Sequence, residues 1–183
     1  LGEVIHIGQT HIKDRVVCTY FKKKYNLHSV TINKVETIIW RAKMTRVYVD
    51  MVADLFHYGH ANFLRQAKQF GDHLIVGIHS DEVVKEYKRT PILTMRERVD
   101  TVSSCRYVDE VISDAPLVVD LKWLNTHRID LVVHGDDFSE HMKQLCYKVP
   151  IDLGILRLVS YTSRISTTEI IQRIERHIRK SDI

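Results

Sequence analysis

From residue 46 onward, short runs of apolar, often β-branched residues alternate with stretches of helical character, and this alternation leaves very few folds open. RVYV (46–49), HLIVGIHS (73–80), YVDEVI (107–112), IDLVVHG (129–135) and ILRLVSY (155–161) read as strands. HYGHANFLRQAKQFG (57–71), TMRERVDTVSSC (94–105), VVDLKWLNTH (118–127), SEHMKQLC (139–146) and STTEIIQRIERHIRK (166–180) read as helices. The near-continuous apolar content of HLIVGIHS is that of a strand buried on both faces of a parallel sheet. Strands separated by helices of this length form βαβ units, whose right-handed crossovers put helices on both faces. The expectation is an α/β fold with a doubly wound parallel sheet over residues 44–183. Residues 1–43 read as an N-terminal accessory segment, with helices expected around 11–25 and 31–42. Its cluster Phe21-Lys22-Lys23-Lys24-Tyr25 is the kind of charge run that usually forms a solvated face.

Composition narrows the function. A net charge of +4 suits anionic small molecules but is too weak to argue for nucleic acid. Cys18, Cys105 and Cys146 are odd in number and show no CxxC spacing. That argues against a disulfide framework or a zinc knuckle and makes a reducing cytoplasm the default. No apolar run approaches the roughly 20 residues that span a bilayer, and the stretch LGEVIHIGQTHIKD lacks the apolar core of a secretory signal.

Four motifs carry chemistry. His57-Tyr58-Gly59-His60 follows RVYVD and MVADLF and opens a helix, setting two imidazoles three residues apart on its first turn. Helix N-termini attract anions through free N–H groups and the helix dipole, and Gly59 removes a side chain where a phosphate or ribose can approach. Phosphoryl and nucleotidyl transfer need mainly positioning and charge stabilisation, which two donating imidazoles supply. An HxxH in a chain with 11 histidines is weak by itself, and a two-histidine metal site remains open, with Asp54 as a third ligand. Ile165-Ser166-Thr167-Thr168-Glu169 opens the last helix; one hydroxyl suffices for a cap, while three also suit a polyphosphate. Lys88-Arg89 lies beyond the second strand, at the edge where open parallel sheets bind ligands, although most lysines are simply solvated. His134-Gly135-Asp136-Asp137 ends an apolar strand at the same edge; an Asx turn is the plain alternative to ligand binding.

In this order the motifs resemble the cytidylyltransferase family, whose members act on glycerol-3-phosphate, phosphocholine and phosphoethanolamine. DLFHYGH (54–60), RQAKQFGDHLIVGIHSDE (65–82), Glu97-Arg98, RYVDEVI (106–112), HGDD (134–137) and ISTTEII (165–171) carry the resemblance, which is nearest to the ethanolamine-phosphate branch. It implies a Rossmann-like fold of the HxGH nucleotidyltransferase type. It also implies transfer of CMP from CTP to a small phosphate monoester in phospholipid biosynthesis. His57 and His60 would contact the CTP phosphates, and Lys88 the substrate phosphate. Asp54 would support the HxGH geometry, and Gly59, Arg98, His134 and Asp137 would join the nucleotide site. Ser166, Thr167 and Thr168 would bind the β- and γ-phosphates. Mg²⁺ would accompany the nucleotide, and Arg106 to Val111 would form a homodimer interface. The chain departs from the family where glycine is usual, at Met51, Arg89 and Arg164, and where arginine is usual, at Tyr161. These changes place Arg89, Tyr161 and Arg164 as candidate acceptor-binding residues. An adenylyltransferase using ATP and a catalytically weak nucleotide-binding relative remain as alternatives.

Overall fold

The computed structural model describes residues 44–181, and the accessory segment and helices expected within residues 1–43 lie outside them. Five strands form one parallel sheet: β1 Arg46–Met51, β2 His73–His79, β3 Glu110–Ala115, β4 Leu131–Gly135 and β5 Leu156–Val159. The helices are α1 Tyr58–Ala67, α2 Asp81–Lys85, α3 Met95–Ser103, α4 Leu121–His127, α5 Glu140–Asp152 and α6 Thr167–Ser181; a 3₁₀ turn, Lys68–Phe70, extends α1. The strand order is β3-β2-β1-β4-β5, so the chain reverses direction of winding between β1 and β4. The crevice beyond the carboxyl ends of those two strands is where such sheets bind ligands.

Alternation along the strands builds a core on each face. Val47, Val49, Leu74, Val76 and Ile78 pack with Leu64 and Ala67 of α1 and Val102 of α3 on one side. Tyr48, Ile75 and Val132 pack with Leu124 of α4 and with Cys146 and Tyr147 of α5 on the other. Gly77 is required in β2 because a Cβ there would collide with the Tyr48 hydroxyl. The doubly wound parallel sheet expected from the sequence is the one observed.

Several boundaries move, each for a local reason. β3 begins at Glu110 rather than Tyr107, because Asp109 is spent on the turn: its Oδ2 accepts from the Leu74 N–H at 2.6 Å and from Lys68 Nζ at 2.5 Å. α4 begins at Leu121 because Asp120 caps it, accepting from the Trp123 N–H at 2.7 Å. α5 runs past Cys146 to Asp152; Tyr147 breaks the helical geometry (φ −124°, ψ 23°), and Pro150 follows that kink. α2, a single turn capped by Ser80, was not anticipated.

Candidate active site

The β1–α1 connection is shaped by left-handed backbone at Ala53 (φ 59°) and Leu55 (φ 46°), on either side of Asp54. Such conformations cost roughly 1–3 kcal/mol each and survive where the surroundings impose them. The connection delivers His57 to the cap of α1. The cap is made by the two imidazoles themselves. His57 Nδ1 accepts from the Gly59 N–H at 3.0 Å, and His60 Nδ1 accepts from the His57 N–H at 3.2 Å. The rings stack at 4.0 Å between centroids, and Phe56 stacks with His60 at 5.4 Å. Gly59 is needed because the His57 ring folds back over it; a Cβ there would lie 2.8 Å from His57 Cε1.

This geometry fixes the protonation pattern. A nitrogen that accepts an amide N–H carries no proton, so in each neutral ring the proton sits on Nε2. Burial holds both rings neutral: it lowers the His57 pKa, and it pushes that of His60 down to about 3, helped by the neighbouring His57 and Lys88. The pair therefore offers N–H donors into the cavity without needing a net charge.

His57, Gly59 and His60 line a cavity of about 470 Å³, within the range of small-molecule sites. Lys88 and Arg89 line it from the loop after α2, His134, Gly135 and Asp137 from the end of β4, and Tyr161 and Thr162 from the end of β5. Ser166, Thr167 and Thr168 line it from the start of α6. Four motifs scattered over more than a hundred residues thus meet in one crevice at the reversal point of the sheet.

The individual side chains are not all placed as expected. Ser166 caps α6, its Oγ accepting from the Glu169 N–H at 3.1 Å, and Thr167 Oγ1 donates to the Asp54 carbonyl at 2.8 Å. Asp54 is buried, and its carboxylate accepts from Arg89 and from the Ile92 and Leu93 amides. Arg98 is the clearest correction. It does not line the cavity: it is fully buried and donates to the Val52 carbonyl at 2.6 Å, the His79 carbonyl at 3.0 Å and Asp81 at 2.6 Å. Three polar groups at two loops demand a buried, always-charged fork, which is what a guanidinium supplies. Arg164 is likewise outside the cavity lining; it is exposed with φ 68°, and its carbonyl accepts from Arg173. Met51 is extended within β1, a backbone state that does not call for glycine.

Beyond Thr162, the lining includes a carboxylate that the sequence motifs do not single out. Asp50, at the end of β1, lines the cavity and is only 5% exposed. Its Oδ1 accepts from the Tyr147 hydroxyl at 2.5 Å and lies 3.6 Å from His79 Nε2, while its Oδ2 has no partner. Burial alone would raise its pKa, but His79, then His134 and the Tyr147 hydroxyl, outweigh burial and hold it low. His79 Nδ1 also lies 3.2 Å from the Ala115 carbonyl, and Asp50 raises the His79 pKa against the pull of burial. A carboxylate closing an apolar strand at the ligand edge was the signal available.

Among the described residues no cluster of three or more His, Cys, Asp or Glu is arranged to hold a metal ion. His57 and His60 present their Nδ1 lone pairs to backbone amides, which removes those atoms as ligands. No described helix is long and apolar enough to cross a membrane.

Comparison with known proteins agrees with this geometry. The chain is 45% identical over 133 residues to an ethanolamine-phosphate cytidylyltransferase of Dictyostelium discoideum, an alignment covering 70% of this chain and 37% of that protein. It is 43% identical over 134 residues to choline-phosphate cytidylyltransferase A of Mus musculus, covering 72% and 36% respectively. The chain thus spans somewhat over a third of the length of these curated relatives. Among solved structures, a lipopolysaccharide core biosynthesis protein from Thermoplasma volcanium superposes with a TM-score of 0.53 at 27% identity, covering 65% of this chain and 97% of that one. The cytidylyltransferase-like family model matches residues 50–173, well over half of the sequence, and the chain belongs to that family.

Proposed function

We propose that this chain transfers the cytidylyl group of CTP to the phosphate of a small amino-alcohol ester of the phosphoethanolamine kind, releasing pyrophosphate. The observation that carries the reading is the convergence of two neutral Nε2–H imidazoles, Lys88 and the N-terminus of α6 on one crevice. An oxygen of the acceptor phosphate attacks the α-phosphorus of CTP; that P–O bond forms as the bond from the α-phosphorus to the β-bridging oxygen breaks, and its electron pair leaves with pyrophosphate. A phosphate monoester is already a competent nucleophile, so no covalent intermediate on the protein is required. The protein's share is alignment and charge stabilisation. His57 and His60 donate to the phosphate oxygens, Lys88 offsets the repulsion between the two anions, and the first amides of α6 receive the outer phosphates.

Asp50 supports an acceptor with an ammonium end. A buried, ionised carboxylate with one unpartnered oxygen favours a cation that brings N–H donors. Magnesium would accompany the triphosphate, held by the phosphate oxygens; among the described residues no group of three or more His, Cys, Asp or Glu forms a cage for it. When bound, it would neutralise charge on the leaving pyrophosphate. His134 and Asp137 at the rim suit the ribose or the base. The free thiols Cys105 and Cys146 accord with a cytoplasmic setting. A homodimer through Arg106 to Val111 accords with an exposed Arg106 lying 4.8 Å from the Tyr107 ring centroid; sedimentation of the wild type against Arg106→Glu tests that.

The function is tested by pyrophosphate release with CTP and phosphoethanolamine, phosphocholine or glycerol-3-phosphate. Turnover is expected with phosphoethanolamine, and His57→Ala or Lys88→Ala should lower it by about 10²–10³ with the fold intact by circular dichroism. Silence with every acceptor, or full turnover by folded His57→Ala protein, refutes the assignment.

A further inference from the structure

We propose that Arg89 is a positioning residue: its ion pair with Asp54 pins the loop carrying Lys88 against the start of the HxGH helix and so holds the Lys88 side chain at the phosphate end of the cavity. The assignment of Lys88 as a phosphate ligand is taken from the proposed function.

A single buried carboxylate gathers both arms of this loop. Asp54 Oδ2 accepts from Arg89 Nη2 at 2.8 Å, next to Lys88 in the chain, and Oδ1 accepts from the Ile92 and Leu93 N–H groups at 3.0 Å each. Arg89 Nη1 also donates to the Thr90 carbonyl at 3.1 Å, which curls the loop on itself. The other side of Asp54 is equally fixed, since its carbonyl accepts from Thr167 and its neighbours adopt left-handed backbone. Asp54 therefore knots together the HxGH connection, the Lys88 loop and the start of α6.

The carboxylate side chain is 4% exposed, so its charge depends on these three partners. Burial would raise its pKa; the Leu93 and Ile92 amides, then Arg89, hold it below the ordinary value. Lys88 itself is exposed, with Nζ 5.6 Å from the Tyr87 ring centroid, and has no comparable anchor of its own. Its location is set by the backbone on which it stands. Where family members carry glycine at position 89, no side chain is present to make the pair, so the pin belongs to this chain.

The test uses the full chain with Arg89→Gly, Arg89→Lys, Asp54→Asn and the Arg89→Gly/Asp54→Asn double variant. Asp54→Asn keeps an oxygen for the Ile92 and Leu93 amides while removing the ion pair. The first readout is amide hydrogen exchange at Ile92 and Leu93 without ligand, and the second is kcat and KM with CTP and phosphoethanolamine. Arg89→Gly and Asp54→Asn should each speed exchange about tenfold and lower kcat about tenfold, within the loss that misplacing a catalytic group produces. KM for CTP should stay within about twofold. The double variant should be no worse than Asp54→Asn alone, because both changes cut one interaction. Arg89→Lys, which keeps a cation for Asp54, should hold kcat closer to the wild type than Arg89→Gly does. Unchanged exchange in Arg89→Gly overturns the inference. So does a rise in KM that is equal with and without Asp54→Asn, which would mark Arg89 as a direct phosphate contact. If the wild type proves inactive, the functional reading fails, whereas the exchange measurement still decides the pin.

Discussion

At the scale of single residues, the two histidines of the HxGH turn use their two nitrogens differently. Nδ1 of each ring holds the helix cap, and Nε2 is left to donate. Protonating a ring puts a hydrogen on Nδ1 and removes the acceptor. Both folded pKa values lie below the ordinary value near 6.5, so the stability the rings contribute is fully present above that pH. It is lost as pH falls through 6.5 toward the folded values, about 3 for His60. Urea unfolding of wild type and His60→Asn at pH 7 and pH 5 checks this. Asparagine can accept from the His57 amide but does not titrate, so the wild type should lose about 1–2 kcal/mol relative to the variant at the lower pH. A constant difference between the two proteins would contradict the cap. Arg98 illustrates the opposite case, a charged residue that does not line the cavity and is buried on backbone carbonyls and Asp81. Arg98→Met should cost about 3–5 kcal/mol in the same unfolding assay, the range for stripping one partner from a buried charged network. A residue that served only the nucleotide would leave the unfolding midpoint where it was.

At the scale of elements, α6 is entered through an irregular turn. Arg164 stands where the family usually has glycine and is held at φ 68°. A side chain in that region costs roughly 1–2 kcal/mol, and glycine gives back part of the gain through a more flexible unfolded chain. Arg164→Gly should therefore stabilise the protein by about 0.5–1 kcal/mol, read as a higher urea midpoint with an unchanged denaturant slope; destabilisation would mean that the Arg164 side chain makes a contact worth more than the strain. This position also shows what the sequence could and could not convey. The departure from glycine was visible in the letters, but whether it filled the acceptor pocket or strained a turn depends on backbone angles that no motif encodes. The strands were legible because a parallel sheet buried on both faces imposes near-continuous apolar runs. Their ends were less so: Asp109 is drawn into a turn by Lys68 and Leu74, partners distant in the chain, while Asp120 caps a helix through the Trp123 amide only three residues on. His57, His60 and the STT run were found because each opens a helix. Asp50 was passed over because a lone carboxylate at the end of a strand acquires meaning only when His79 and Tyr147 are seen around it.

At the scale of the whole molecule, the crevice exists because the sheet brings together segments that are independent in sequence. β1 and β4 are neighbours at the reversal of strand order, so Asp50 and the HxGH connection face His134 and Asp137 across it. The Lys88 loop and the start of α6 close the sides. A triphosphate that touches several of these segments binds the folded state and not the unfolded chain, and must shift the folding equilibrium by mass action. CTP at a hundred times its dissociation constant should add about 2.7 kcal/mol, which for a domain of this size raises the thermal midpoint by about 5–10 °C. Each segment should contribute, so Lys88→Ala should reduce the shift at a fixed CTP concentration rather than abolish it. ATP presents the same phosphates on a larger base, and at equal concentration it should stabilise less if the β4 end selects cytosine. A shift from ATP equal to or larger than that from CTP would move the assignment to an adenylyltransferase while leaving the phosphate end of the crevice as described.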